Sequence, residues 1–338
     1  MQRKPKVVVT NRMFPETREH LARHAMLDMN ENFEPWSSRE VRERCRDAEG
    51  ILPFMTDSLD AEFFASCPKL KIVGAALKGY DNIDVEAATR HGVWVTIVPD
   101  LLTVPTAELA IGLMLTLGRH ILAGDRFIRA RGFAGWRPTL YGMGIDGATI
   151  GIVGFGKVGR AIAERLSPFG CEILACDLEN EFPPQEIRAP VAVARFEDTL
   201  QNADYVILAL PLTPRTRHII DRTAIAQMKP GALLINPARG SLVDEAAVAE
   251  ALESGRLAGY AADVFECEDW SQHDRPRAID PRLTSSSAPT VLTPHIGSAV
   301  AHVRREIEFS AANSIIEVLS GGMPKGALND PIARSFHA

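Results

Sequence analysis

Gly154-Phe155-Gly156-Lys157-Val158-Gly159 has the residue types and spacing to hold a phosphate. In such a segment the first glycine permits a tight turn, the second lets the backbone approach a pyrophosphate, and the third lets helix and strand pack closely. The phosphates then meet the unpaired N–H groups of a helix N-terminus, where the dipole favours anions. Thr149 to Val153 before the motif reads as a strand, and Arg160 to Leu166 after it as a helix. Asp177 lies 21 residues after Gly156, near the offset at which an acidic residue meets an adenosine ribose. Its carboxylate would accept from the ribose hydroxyls and repel a 2′-phosphate, and Leu178, not an arginine, follows it. NAD is therefore expected over NADP. A structural glycine turn and an ordinary strand-end Asp are the alternatives. Gly151 to Lys157 also spells the start of a P-loop, but Val158 stands where that loop needs a Ser or Thr for Mg²⁺, so an NTPase is excluded.

The elements that must position this motif alternate in type. Lys6 to Thr10, Gly50 to Met55, Ile72 to Ala75 and Trp94 to Ile97 read as strands, with helices over Thr17 to His24 and Arg39 to Arg46. A break falls at Val98-Pro99-Asp100. Beyond it a long helix is expected from Pro105 to about Ala130, capped by Thr103, then an aromatic loop over Arg131 to Gly147 with Trp136 and Tyr141. A second series follows, with strands at Thr149 to Val153, Glu172 to Cys176, Tyr205 to Leu208, Ala232 to Ile235, Gly259 to Val264 and Thr290 to Leu292, and a last helix over Ala299 to Leu319. This alternation predicts α/β architecture, as two doubly wound parallel-sheet domains.

Composition narrows the function. The 338 residues carry a net charge of −6, with 46% hydrophobic and 24% charged residues and no basic block, which argues against nucleic-acid binding. The most apolar stretch, Leu109 to Gly118, is ten residues long, too short to cross a bilayer. With no signal-peptide pattern at the N-terminus, a cytoplasmic protein is expected. Five cysteines, odd in number and without C-x-x-C, read as reduced thiols, and no metal site is expected.

Three further segments carry a family resemblance. They are Ile235-Asn236-Pro237-Ala238-Arg239-Gly240-Ser241-Leu242-Val243-Asp244, Ala262-Asp263-Val264-Phe265-Glu266-Cys267-Glu268 and Thr293-Pro294-His295-Ile296-Gly297-Ser298. With the glycine motif they resemble the D-isomer-specific 2-hydroxyacid dehydrogenases over nearly the whole chain. Within that family, Ala75 to Asn82, Val98 to Glu108 and Ala261 to Trp270 are similar to its phosphite (phosphonate) dehydrogenase branch. Ordinary members usually carry a small or apolar residue where Lys78 stands, and their acidic motif usually ends Glu-Pro where this chain has Glu268-Asp269. Cys267 departs from the Met usual in the phosphite branch.

The resemblance implies a flavodoxin-like substrate domain, 1–99 with 298–338, and an NAD-binding Rossmann domain, 100–297. A cleft between them and a hinge at Pro99 and Ser298 are implied. It implies a catalytic trio of Arg239, Glu268 and His295. Arginine offers a rigid fork of donors to an anion, and histidine moves a proton near neutral pH. Lys78, Gly79, Met55, Trp136, Tyr141 and Ser298 are implied substrate contacts, with Arg304 near them. Thr106, Leu210, Pro211, Pro237, Ala238, Asp263 and Gly297 join the glycine motif and Asp177 around the cofactor, with Lys157 and Val158. The implied reaction is oxidation of phosphite to phosphate, with hydride passed to NAD and water as nucleophile, activated by His295 or Arg239. A D-2-hydroxyacid dehydrogenase of glyoxylate, hydroxypyruvate or D-lactate type and a non-enzymatic NAD-sensing protein are the alternatives. A homodimer is expected, with Trp136 and Tyr141 reaching the site from the partner or from an arm of the same chain. Lys78 as a solvated loop charge, Arg239 in a plain ion pair and Glu268 on a solvated acidic face are the plainer readings.

Overall fold

A computed structural model describes residues 3–98, 100–130, 133–177, 189–272 and 274–331. Pro99 and Leu178 lie outside them. The chain divides into two compact units, Met1–Leu102 with Trp270–His273 and Ala299–Ala338, and Thr103–Asp269 with Asp274–Ser298.

In the first unit, β1 (Lys6–Val9), β2 (Met26–Met29), β3 (Gly50–Leu52), β4 (Ile72–Gly74) and β5 (Trp94–Thr96) form one parallel sheet in the order β2-β1-β3-β4-β5. This is the flavodoxin-like order. Continuous apolar runs such as Val7-Val8-Val9 are fully buried, as strands covered on both faces must be. The intervening helices are α1 (Pro15–Ala22), α2 (Ser38–Cys45), α3 (Ala61–Ser66) and α4 (Val85–Arg90); the last helix, Ala301–Leu319, also packs on this sheet. Strand β2, α3 and α4 are short elements whose apolar pattern is too brief to read from sequence.

The second unit opens with α5 (Thr103–Gly118), which begins at Thr103 itself. The single helix expected to reach Ala130 is instead two. His120 takes a left-handed backbone (φ +52°), and α6 (Ile121–Arg129) leaves at a 61° bend. The apolar run that buries α5 ends at Arg119-His120, and no residue of α6 is buried. Among the described residues no single helix is long and apolar enough to cross a membrane.

Seven parallel strands follow: β6 (Thr149–Val153), β7 (Glu172–Cys176), β8 (Ala192–Val193), β9 (Tyr205–Leu208), β10 (Ala232–Asn236), β11 (Leu257–Ala262) and β12 (Thr290–Leu292). Their order is β12-β11-β10-β9-β6-β7-β8, so the winding reverses beside β6, where doubly wound sheets bind ligands at the carboxyl ends of their strands. Between the strands run α7 (Lys157–Leu166), α8 (Phe196–Asn202), α9 (Arg222–Gln227) and α10 (Glu245–Glu253). Helices α3, α4, α9 and α10 each start on an Asp whose carboxylate accepts a backbone N–H of the first turn. Helix α7 has Gly156 in that position and no side-chain hydrogen bond at its cap, the arrangement in which a helix N-terminus can meet an anion.

Candidate active site

The glycine turn sits at the carboxyl end of β6. Gly154 has φ +95°, and its N–H donates to the Cys176 carbonyl at 2.8 Å. A Cβ on Gly159 would lie 2.2 Å from the Gly154 carbonyl oxygen, whereas one on Gly156 would meet nothing within 4 Å. The turn is therefore closed against its own helix at Gly159 and open at Gly156, as a bound pyrophosphate requires. Lys157 is exposed on the first turn of α7, and Val158 packs against the core. Asp177 follows β7, and its Oδ2 accepts the Phe155 N–H at 3.0 Å, so this carboxylate is fixed to the glycine turn. Leu210 (buried) and Pro211 (exposed) follow β9 on the other side of the turn. An uncapped helix end, an unobstructed glycine and an anchored acid fit a dinucleotide.

The loops after β10, β11 and β12 are shaped by polar side chains. Asn236, fully buried at the end of β10, accepts the Ala238 N–H on Oδ1 (3.1 Å) and donates through Nδ2 to the Arg239 carbonyl (2.8 Å). Pro237 is buried and Ala238 half-buried on this loop. The Arg239 guanidinium donates to the Ala238 carbonyl at 2.9 Å. After β11 the chain passes Asp263 into a tight turn, Glu266–Glu268. Glu268 Oε1 accepts the Phe265 N–H at 2.8 Å, and its Oε2 meets His295 Nδ1 at 2.8 Å. Both side chains are 27% exposed. An ionised Glu268 makes Nδ1 the donor and leaves Nε2 to exchange a proton.

His295 itself has a left-handed backbone (φ +52°), held by its N–H to the carbonyls of Asp263 (2.8 Å) and Thr293 (3.0 Å). The Asp263 carboxylate is fully buried and accepts three hydrogen bonds: Thr293 Oγ1 at 2.6 Å, Ile296 N at 2.8 Å and Gly297 N at 2.7 Å. Burial raises its pKa, against the pull of those donors and the nearby His295. In the structure Asp263 thus ties down the loop that carries His295. Thr106 on α5 lies beside this loop; a Cβ on Gly297 would sit 3.5 Å from its Oγ1. Ser298 is half-buried at the end of the loop.

The remaining expected residues are carried by other segments. Lys78 and Gly79 are half-buried in the segment following β4 of the first unit. Met55 lies in the loop after β3, which Asp57 organises: its Oδ2 accepts Thr10 Oγ1 (2.5 Å) and the Phe54 N–H (2.8 Å). Burial pushes the Asp57 carboxyl up to about 6. Arg304 is in the same unit, with its guanidinium 5.8 Å over the Phe54 ring, and burial lowers its pKa. Trp136 (77%) and Tyr141 (78%) are highly exposed. The structure therefore brings Glu268 and His295 into contact, and groups Asp263, Thr106 and Gly297. Asn236 and Thr293 were missed as supporting residues; their signal is a short polar side chain at the end of a buried strand.

Residues 111–297 match the family described as D-isomer specific 2-hydroxyacid dehydrogenase, NAD binding domain. The chain is 36% identical to the glyoxylate reductase of Thermococcus onnurineus over 332 residues, covering 96% of each chain. It is also 36% identical to that of Pyrococcus furiosus, covering 98% of this chain and 97% of the relative. Among solved structures, a Thermus thermophilus protein superposes with TM-score 0.86 at 32% identity, covering 96% of this chain and 100% of that one. A glyoxylate reductase from Paecilomyes thermophila superposes with TM-score 0.83 at 28% identity, covering 97% and 99%.

Proposed function

Because the chain belongs to the D-isomer specific 2-hydroxyacid dehydrogenase family, with its NAD-binding domain, we propose an NAD-linked oxidoreductase whose substrate is phosphite. The observation that carries this reading is Lys78, a half-buried cation after β4 in a segment similar to the phosphite branch. A second positive group beside Arg239 would suit the double charge of a phosphite dianion better than the single charge of a 2-oxo acid carboxylate.

When bound, NAD supplies the hydride acceptor. Arg239, its loop braced by Asn236, holds the anion's oxygens and neutralises the charge that gathers on them. His295 takes a proton from the attacking water at Nε2, and Glu268 holds the ring in the tautomer that can do so. Phosphite, water and NAD⁺ give phosphate, NADH and a proton. Lys78, Gly79 and Met55 are proposed substrate contacts, as are Trp136, Tyr141 and Ser298. Asp177 is proposed to select NAD over NADP.

The relatives' names favour a second reading, reduction of glyoxylate or a similar 2-oxo acid by NADH. His295 would then be protonated and give its proton to the carbonyl oxygen. The two are separated by following NADH absorbance with phosphite plus NAD⁺, and with glyoxylate or hydroxypyruvate plus NADH. Turnover of phosphite with a kcat/KM at least about tenfold above that of either oxo acid supports the first. Turnover of the oxo acids alone discards it for the second. A homodimer is also proposed from the resemblance, and the wholly unburied α6 supports it; a monomer mass in light scattering would refute it.

A further inference from the structure

Two loops must hold their relative positions for the proposed reaction, one with Arg239 and one with Glu268. Their backbones touch. A Cβ on Gly240 would lie 1.9 Å from the Phe265 carbonyl carbon and 2.3 Å from the Glu266 nitrogen. One side chain also joins them. Asp269, 4% exposed, ends the turn that carries Glu268, and its Oδ2 accepts the Ser241 N–H at 2.6 Å. The Asp269 N–H donates to the Glu266 carbonyl at 3.2 Å, so the residue closes its own turn while holding the neighbouring loop. On the far side of the turn, Glu245 Oε1 accepts the Glu266 N–H at 2.8 Å. The proline usual after this glutamate in the wider family has no side-chain acceptor for Ser241.

We propose that Asp269 is a positioning residue: its buried carboxylate clamps the Arg239 loop to the Glu268 turn, so that the anion-binding guanidinium and the proton-handling His295–Glu268 pair keep one register. The clamp acts through an accepting oxygen. Asparagine, which keeps that oxygen, therefore preserves it, and alanine or proline does not. This inference rests on the proposed reaction for its kinetic consequence, but not for its structural one.

The test compares wild type, Asp269→Ala and Asp269→Asn by steady-state kinetics with phosphite and with glyoxylate. It adds NADH affinity by fluorescence and amide exchange of the peptide containing Ser241. A misplacement near 1 Å costs on the order of 100-fold, so Asp269→Ala should lose about 100-fold in kcat/KM with NADH affinity within about twofold of wild type. Asp269→Asn should recover to within about tenfold of wild type, and Ser241 should exchange faster only in the alanine variant. An Asp269→Ala enzyme with wild-type kcat/KM per NADH-binding site overturns the proposal, even if its Tm falls. So does an asparagine variant as impaired as alanine. If wild type turns over neither substrate, the functional reading falls and the exchange data alone decide; unchanged protection of Ser241 in Asp269→Ala then refutes the clamp.

Discussion

The turn after β6 and the loops after β10 to β12 stand at the same edge of one sheet but are built from opposite materials. The first is made by the absence of side chains: Gly154, Gly156 and Gly159 shape a backbone surface, to which Asp177 adds a carboxylate. The second is made by buried polar side chains, with Asn236, Asp263, Glu268 and Asp269 each folding a loop by accepting or donating to backbone. A backbone site binds what every member of a cofactor class shares, a pyrophosphate. A side-chain site can place one charge and one proton where a particular reaction needs them.

That contrast predicts separable failures. The largest is His295→Gln, which should lower kcat by about 1000-fold while NADH binding, followed by fluorescence, stays near wild type. A matching loss of NADH affinity would erase the distinction between the two regions. Gly159→Val works in the other direction. Its Cβ meets the Gly154 carbonyl, a backbone atom that cannot rotate away, so dinucleotide binding should weaken about 100-fold, or about 2.7 kcal/mol, by calorimetric titration. Normal affinity would show that the turn tolerates a side chain. Asp177→Ala should shift the NADP-to-NAD ratio of kcat/KM toward NADP by about tenfold, roughly 1.4 kcal/mol, and an unmoved ratio would place cofactor choice on another residue.

The smallest effect concerns the support of the side-chain region. Burial, aided by the nearby Glu266 and Asp280 carboxylates and opposed by hydrogen bonds from the Glu266 and Asp280 N–H groups, raises the Glu245 carboxyl from 4.5 to about 7. The folded state then holds a proton that the unfolded chain has released. Glu245 therefore costs stability progressively as pH rises from about 4.5 to about 7, by at most about 3 kcal/mol. Thermal unfolding should show Tm falling over that interval and a flatter profile in Glu245→Gln; parallel profiles would remove Glu245 as the source.

The same contrast explains what could be read from the sequence. The glycine turn is contiguous, and Asp177 sits one strand away, so its function follows from local spacing. The parallel-sheet architecture was equally legible, because buried strands such as Val7-Val8-Val9 and Tyr205–Leu208 are unbroken apolar runs. The His295–Glu268 contact joins residues 27 apart, and only the family motifs suggested it. The Asp269–Ser241 and Asp263–Gly297 ties span 28 and 34 residues, and nothing local marks them. His218 belongs to none of the sequence motifs, yet its Nε2 lies 2.5 Å from Glu266 Oε1. The break at His120 was missed because helical periodicity resumes on its far side and hides one left-handed residue.

The positive φ of His295 has its own consequence. A non-glycine residue in that conformation costs about 1 kcal/mol, and here the cost falls on the imidazole expected to do the proton chemistry. Glycine would relieve that tension and forfeit the ring. At this one position the requirements of durability and of turnover pull the sequence in opposite directions, so a search for heat-resistant variants that ignores activity would be drawn to residue 295 and would discard the enzyme to keep the protein.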